Sequence, residues 1–141
     1  MSTFIHCGLA FVYLACVGAI PAAHGATTSQ APIGKVIVHV DAGSRSVFFD
    51  RLKGFAEREA FAIRIAPTHP DGAHFLAQLW REDVKVIAAN SVDADKFDVF
   101  FFLNSAHELP SGMLESMMGD LRDSVATPSA DGIEVIEGSG S

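Results

Sequence analysis

Only two cysteines occur in this chain, Cys7 and Cys16, and both fall within its first 25 residues. Everything after them lacks the means to form a disulfide, a thiol nucleophile or a thiolate metal site. Charge is missing from the same opening segment, since residues 4–20 (FIHCGLAFVYLACVGAI) hold no Asp, Glu, Lys or Arg. That run falls short of the roughly 20 apolar residues a membrane-spanning helix needs. Its length fits the apolar region of a secretory signal peptide, and Ala23-His24-Gly25 places small residues where processing requires them. Residues 1–25 are therefore expected to be removed before Ala26. The stretch ahead of the run has no Lys or Arg, so a retained anchor over residues 4–20 is the competing expectation. Leu14-Ala15-Cys16 offers a third, lipidation at Cys16. A disulfide-free exported domain of this size fits a bacterial periplasm, or secretion, better than a eukaryotic exterior.

Catalytic signatures are absent too. There is no HExxH helix, no G-x-S-x-G elbow, no phosphate-cradling glycine pattern among Gly43, Gly54 and Gly72, and no internal repeat. No cofactor is expected, and neither is an enzyme, although carboxylate chemistry needs no motif. Basic residues are scarce, 10 Lys and Arg against 17 Asp and Glu, and all of them lie after the leader. The net charge of −7 disfavours nucleic acid and anionic lipid, which are bound through phosphate neutralisation. A basic or neutral protein partner is compatible with it, and so is a homodimer.

What is present is a series of strand-like runs. Residues 26–32 form a polar spacer, residues 33–137 one domain, and residues 138–141 (GSGS) a flexible tail. Lys35–Asp41 alternates as a strand. Phe48, Phe49, Leu52, Phe55 and Ala56 recur at helical spacing within Ser46–Ala60, with Ser44 or Ser46 as the cap. Gly54 weakens that helix unless a close contact requires it. Strands follow at Phe61–Pro67, His74–Arg81, Val84–Ser91 and Phe97–Leu103, and a turn at Thr68–Gly72 separates the first two. Around Glu82-Asp83 the chain lacks an Asn-Gly hairpin signature, leaving a bulge or one bent strand as options. A second helix spans Ser111–Val125, with Ser111 as cap and Leu114, Met117, Met118, Leu121 and Val125 as its stripe. Ile133–Ile136 can add an edge strand. The order β-α-β-β-β-β-α(-β) predicts an α+β fold, with two helices on one face of a mainly antiparallel sheet of about five strands.

Alternation then divides the residues. With the helices over Val36, Val38, Val40, Ile63, Ile65, Phe75 and Leu79, the other face takes Ile37, His39, Arg64, Leu76, Gln78 and Trp80. Either Phe100 and Phe102 or their alternates join them. Solvated sheet faces normally turn polar; this one mixes aromatics with Arg, the composition of an interface. The candidate partner-binding residues are Trp80, Arg64, Gln78 and His39, with Arg81 and Asp83 from the charged run Arg81–Lys85. That run reads more simply as a charged hairpin end that blocks edge pairing. His69, Asp71 and His74 supply imidazole and carboxylate across a turn, the donor types for zinc or copper, without the spacing of a known site. His107-Glu108 with Ser105 or Ser111 holds the parts of a hydrolase, but neighbours on a loop seldom converge on one reacting atom.

The run FLAQLWREDVKVIAAN, followed by DKFDVFFF, resembles small exported proteins of Gram-negative bacteria that carry no assigned activity. The resemblance covers about a third of the chain and transfers no catalytic residue. The function expected is an exported, non-enzymatic domain that binds another envelope or secreted protein, as an inhibitor, an immunity-like protein or an accessory subunit. The alternative is a small secreted hydrolase or metal-binding protein built on the loop histidines and carboxylates.

Overall fold

The computed structural model describes residues 30–104, 108–126 and 132–140, with the backbone alone over 137–140. The expected leader and its expected cleavage site, Cys16, most of the spacer, Ser105 and His107 lie outside the described residues. Six strands form one antiparallel sheet: β1 (Gly34–Val40), β2 (Ala62–Pro67), β3 (Phe75–Trp80), β4 (Val84–Ala89), β5 (Lys96–Leu103) and β6 (Ile133–Gly140). Their order across the sheet is β2-β3-β4-β5-β1-β6. Helix α1 (Arg45–Arg58) joins β1 to β2, and α2 (Met113–Val125) joins β5 to β6.

This topology dictates where the helices go. Four antiparallel steps separate β1 from β2 and two separate β5 from β6, so each helix links a pair of parallel strands. Such crossovers are nearly always right-handed. The first moves toward the β2 edge and the second toward β6, but they start from strands of opposite direction. Two crossovers of one hand therefore land on the same face. The core agrees: Phe48, Leu52, Phe55 and Ala56 of α1 and Met117, Met118, Leu121 and Val125 of α2 are buried against Val36, Val38, Val40, Leu79, Val86, Phe97, Val99 and Phe101. Gly34 lets α2 close onto β1, since a Cβ there would lie 2.7 Å from the Met118 sulfur.

Local departures from expectation have local causes. The cap of α2 is Gly112, at φ 80°, and it makes no side-chain bond; Ser111 is one residue too early to serve. Ser44 occupies the cap position of α1 but its hydroxyl makes no cap bond either. Residues 138–140, expected in a flexible tail, continue β6: Gly138, Ser139 and Gly140 lie opposite Val36, Lys35 and Gly34, beyond a bulge between Ile37 and Val38. A backbone ladder needs no side chains, so the partner strand overrides poor strand propensity. β3 and β4 form a true hairpin, with Trp80 opposite Lys85 and the Arg81 amide donating to the Val84 carbonyl at 2.9 Å. No helix among the described residues is long and apolar enough to cross a membrane.

Gly54 turns out not to be needed by any close contact. A Cβ there would meet only Arg58 Nη1, at 3.5 Å, and one at Gly119 in α2 would meet nothing within 4 Å. Changing both to Ala is expected to stabilise the protein by about 1–2 kcal/mol, read as a higher urea midpoint at unchanged slope.

Candidate binding face

With both helices on one side, the described residues leave the opposite face of the sheet without a covering layer. Register assembles it row by row. Ala62, Trp80, Lys85 and Phe102 pair successively across β2, β3, β4 and β5. Arg64, Gln78, Ile87, Phe100 and Lys35 form the next row, running on into β1. Of the three phenylalanines in β5, Phe101 is fully buried in the core, and Phe100 and Phe102 lie half-buried on the open side with ring centroids 6.3 Å apart. Lys35 is committed there, its Nζ 2.9 Å from Asp98 and 5.1 Å from the Phe100 ring centre.

Trp80 stands out in this setting. Its side of the sheet is the unpacked one, and it is 45% exposed. A shallow hollow of about 410 Å³ surrounds it, lined by Arg64, Gln78, Trp80, Lys85 and Asn104. Asn104 is fixed by its own amide nitrogen, which donates to the Arg81 carbonyl at 2.8 Å. Three of the residues expected on this face, Trp80, Arg64 and Gln78, thus share one hollow.

The other three do not. His39 is on the open face but at its far end, opposite Lys96 and Glu134. Its Nε2 lies 3.1 Å from Asp41 Oδ1, in a separate hollow of about 460 Å³. Arg81 follows Trp80 by one residue, and strand alternation turns it to the helix side. There its Nε and Nη2 donate to the two Asp83 carboxylate oxygens at 2.7 and 3.1 Å, and its Nη1 donates to the Glu59 carbonyl at 2.8 Å. Its guanidinium also covers the Phe61 ring, 4.8 Å from the centroid. Arg81 and Asp83 are thereby a latch between the β3–β4 turn and the end of α1, not part of the face. Lys85 and Asn104 take their places. Lys85 was legible once the turn is counted as two residues; Asn104, beyond the end of β5, has no sequence signal.

The latch has a pH signature. The Arg81 hydrogen bond holds the Asp83 carboxyl below its ordinary value of 3.8, with the guanidinium charge and backbone N–H groups adding to it and burial opposing it. Folding therefore lowers the proton affinity of this group. Its stabilising contribution is full above about pH 4 and is lost as pH falls through the depressed folded value. Asp83→Asn is expected to flatten that part of the fall in urea midpoint between neutral and acid pH, leaving the neutral-to-alkaline side unchanged.

Of the loop histidines, His74 has a structural role. His74 Nδ1 donates to the Asn90 carbonyl at 2.7 Å, and Asp71 Oδ1 accepts from the Ala73 amide at 2.9 Å. The His69 and His74 rings are 5.9 Å apart between centroids, and His69 Nδ1 is 3.9 Å from Asp71. Among the described residues no group of three or more His, Cys, Asp or Glu side chains is placed to hold a metal ion.

The chain matches no protein-family model, no curated protein and no solved structure.

Proposed function

We propose that this is an exported, non-enzymatic protein-binding domain of the bacterial envelope, acting as an inhibitor, an immunity-like protein or an accessory subunit. The observation that carries the reading is Trp80, large, apolar and 45% exposed on a sheet face it shares with Ile87, Phe100 and Phe102. Covering what is exposed of that side chain is worth about 2–3 kcal/mol to a complex, from its apolar area. The face is large enough for the purpose. Six strands about 4.8 Å apart and roughly 20 Å long present about 500 Å² in plan, comparable with the ~800 Å² of accessible surface each partner contributes to a standard complex. The uncharged, apolar leader supports export, and the periplasm or exterior is where the partner is to be sought.

Trp80→Asp is expected to leave the far-UV circular dichroism spectrum and the melting temperature unchanged. Partner affinity should fall by about a hundredfold, within the ~2–4 kcal/mol of an interface hot spot. Val92→Asp, at a 92% exposed loop position, is the control. Affinity capture from periplasmic extract with the three proteins reads the difference. A partner held by the native and Val92→Asp proteins but lost by the folded Trp80→Asp variant supports the reading. Equal retention by all three proteins, or unfolding of the Trp80 variant, sinks it.

A further inference from the structure

The charge of the hollow is opposite to that of the protein. Of the ten Lys and Arg residues, Lys35, Arg45, Lys53 and Arg81 are paired with carboxylates. Arg51 and Arg58 reach the Val125 carbonyl and the Ser124 hydroxyl. Arg64 and Lys85, like Lys96 and Arg122 elsewhere, make no side-chain hydrogen bond or ion pair within the described residues, and none of the five residues lining the hollow is acidic. They stand on β2 and β4, either side of the β3 residues Gln78 and Trp80. In a chain with seventeen acids, two like charges sharing a hollow, neither neutralised from within, are complementary to an anion supplied from outside.

We propose that this hollow receives a carboxylate-bearing segment of the protein partner, with an apolar residue laid on the Trp80 indole and the carboxylate held between Arg64 and Lys85. The inference rests on the protein-binding reading above and names the chemistry of the segment. Range decides between anions. A single carboxylate in contact with Arg64 and Lys85 senses their two charges before those beyond about one Debye length, ~8–10 Å. A nucleic acid or an anionic membrane extends past that range and meets the net −7. Shape decides against a free small acid, because small-molecule sites enclose most of their ligand and this hollow is a shallow dish on a sheet. The net charge alone points to a basic or neutral partner; the local field selects an acidic segment on it.

Trp80 is the only tryptophan in the chain, so its emission reports the site directly. The probes are three acetylated, amidated pentapeptides that alternate Leu and Phe with Glu, with Gln or with Lys, titrated into the full-length protein at low salt. The Glu peptide is expected to shift Trp80 emission to shorter wavelength saturably, and to bind about tenfold more tightly than the Gln peptide. The Lys peptide should be the weakest, and Arg64→Glu with Lys85→Glu should reverse the order. Arg64→Gln with Lys85→Gln should make the Glu and Gln peptides equivalent without altering the circular dichroism. Equal binding of the Glu and Gln peptides to the native protein overturns the inference and leaves the protein-binding face standing. No response to any peptide overturns the inference as well, and capture with Trp80→Asp then decides the broader reading separately. Sedimentation that shows a dimer dissociated by Trp80→Asp assigns the face to a second copy of this chain, and overturns the acidic segment.

Discussion

Phe97→Ala is expected to cost the protein about 4 kcal/mol, read as a large drop in melting temperature and urea midpoint. Phe97 is fully buried on the helix side of β5. Its ring centroid is 4.7 Å from that of Phe48, and it meets Phe49 edge-on at 5.9 Å. Phe49 in turn meets Phe75 on β3 at 4.9 Å, so one ring cluster ties α1 to two strands of the sheet. Deleting the ring removes its transfer energy and leaves a cavity that these neighbours, held by backbone on two layers, cannot fill. Aromatic pairing adds about 0.5–1.5 kcal/mol to the loss. Phe97→Leu keeps most of the volume and should cost under about 2 kcal/mol. Phe100→Ala, three residues on and half-buried on the open face, should cost less than half as much as Phe97→Ala. Equal costs at Phe97 and Phe100 would mean that the helices do not distinguish the two faces.

The second large effect is expected at Asn90, the only polar side chain buried among the described residues. Its Nδ2 donates to the Ala73 carbonyl at 2.9 Å and the Ala94 carbonyl at 2.7 Å, and its Oδ1 accepts from the Phe75 amide at 2.6 Å. One side chain thus satisfies three backbone groups from the two loops that flank the β3–β4 hairpin. Asn90→Leu strands the Ala73 carbonyl and the Phe75 amide, while the Ala94 carbonyl keeps its bond from Arg45 Nη2 at 3.2 Å; at roughly 1 kcal/mol or more for each stranded group the protein should lose about 2–3 kcal/mol. Asn90→Asp keeps the acceptor, loses the donors and sets a charge against two carbonyls, so it should be no better. Asn90→Ala admits water and should be the mildest of the three. Hydrogen exchange at the Phe75 amide separates these cases, because that amide becomes fast only if its acceptor is gone.

Much of this was readable beforehand, because alternation with a period of two is strict where one side of a strand is buried. Val36, Val38 and Val40 against Ile37 and His39, and Leu79 against Gln78 and Trp80, fell on the faces the pattern assigned them. The same rule applied one residue further sends Arg81 to the helix side. Grouping Arg81 with Trp80 treated sequence neighbours as spatial ones. Asn90 also carried a signal, since it continues Val84, Val86 and Ala88 on the buried side of β4, where a polar residue has to be satisfied. Strand order was not legible. Nothing within Gly34–Val40 states that β1 will sit between β5 and β6, because pairing partners are chosen by the assembled sheet and not by the local run.

The position of β1 also governs when this chain is able to fold. Lys35 lies opposite Phe100 on one side and Ser139 on the other, so the first strand waits for β5, far along the chain, before its first ladder closes and for β6 before its second. Loop closure of that span comes before any reward from the contacts, which slows folding and keeps a nascent chain open. Until β5 is delivered, the chain holds at most the β2-β3-β4 meander and α1, with the seat for β1 still unmade. Strand order alone thereby postpones the native state until β5 and β6 are both available to β1.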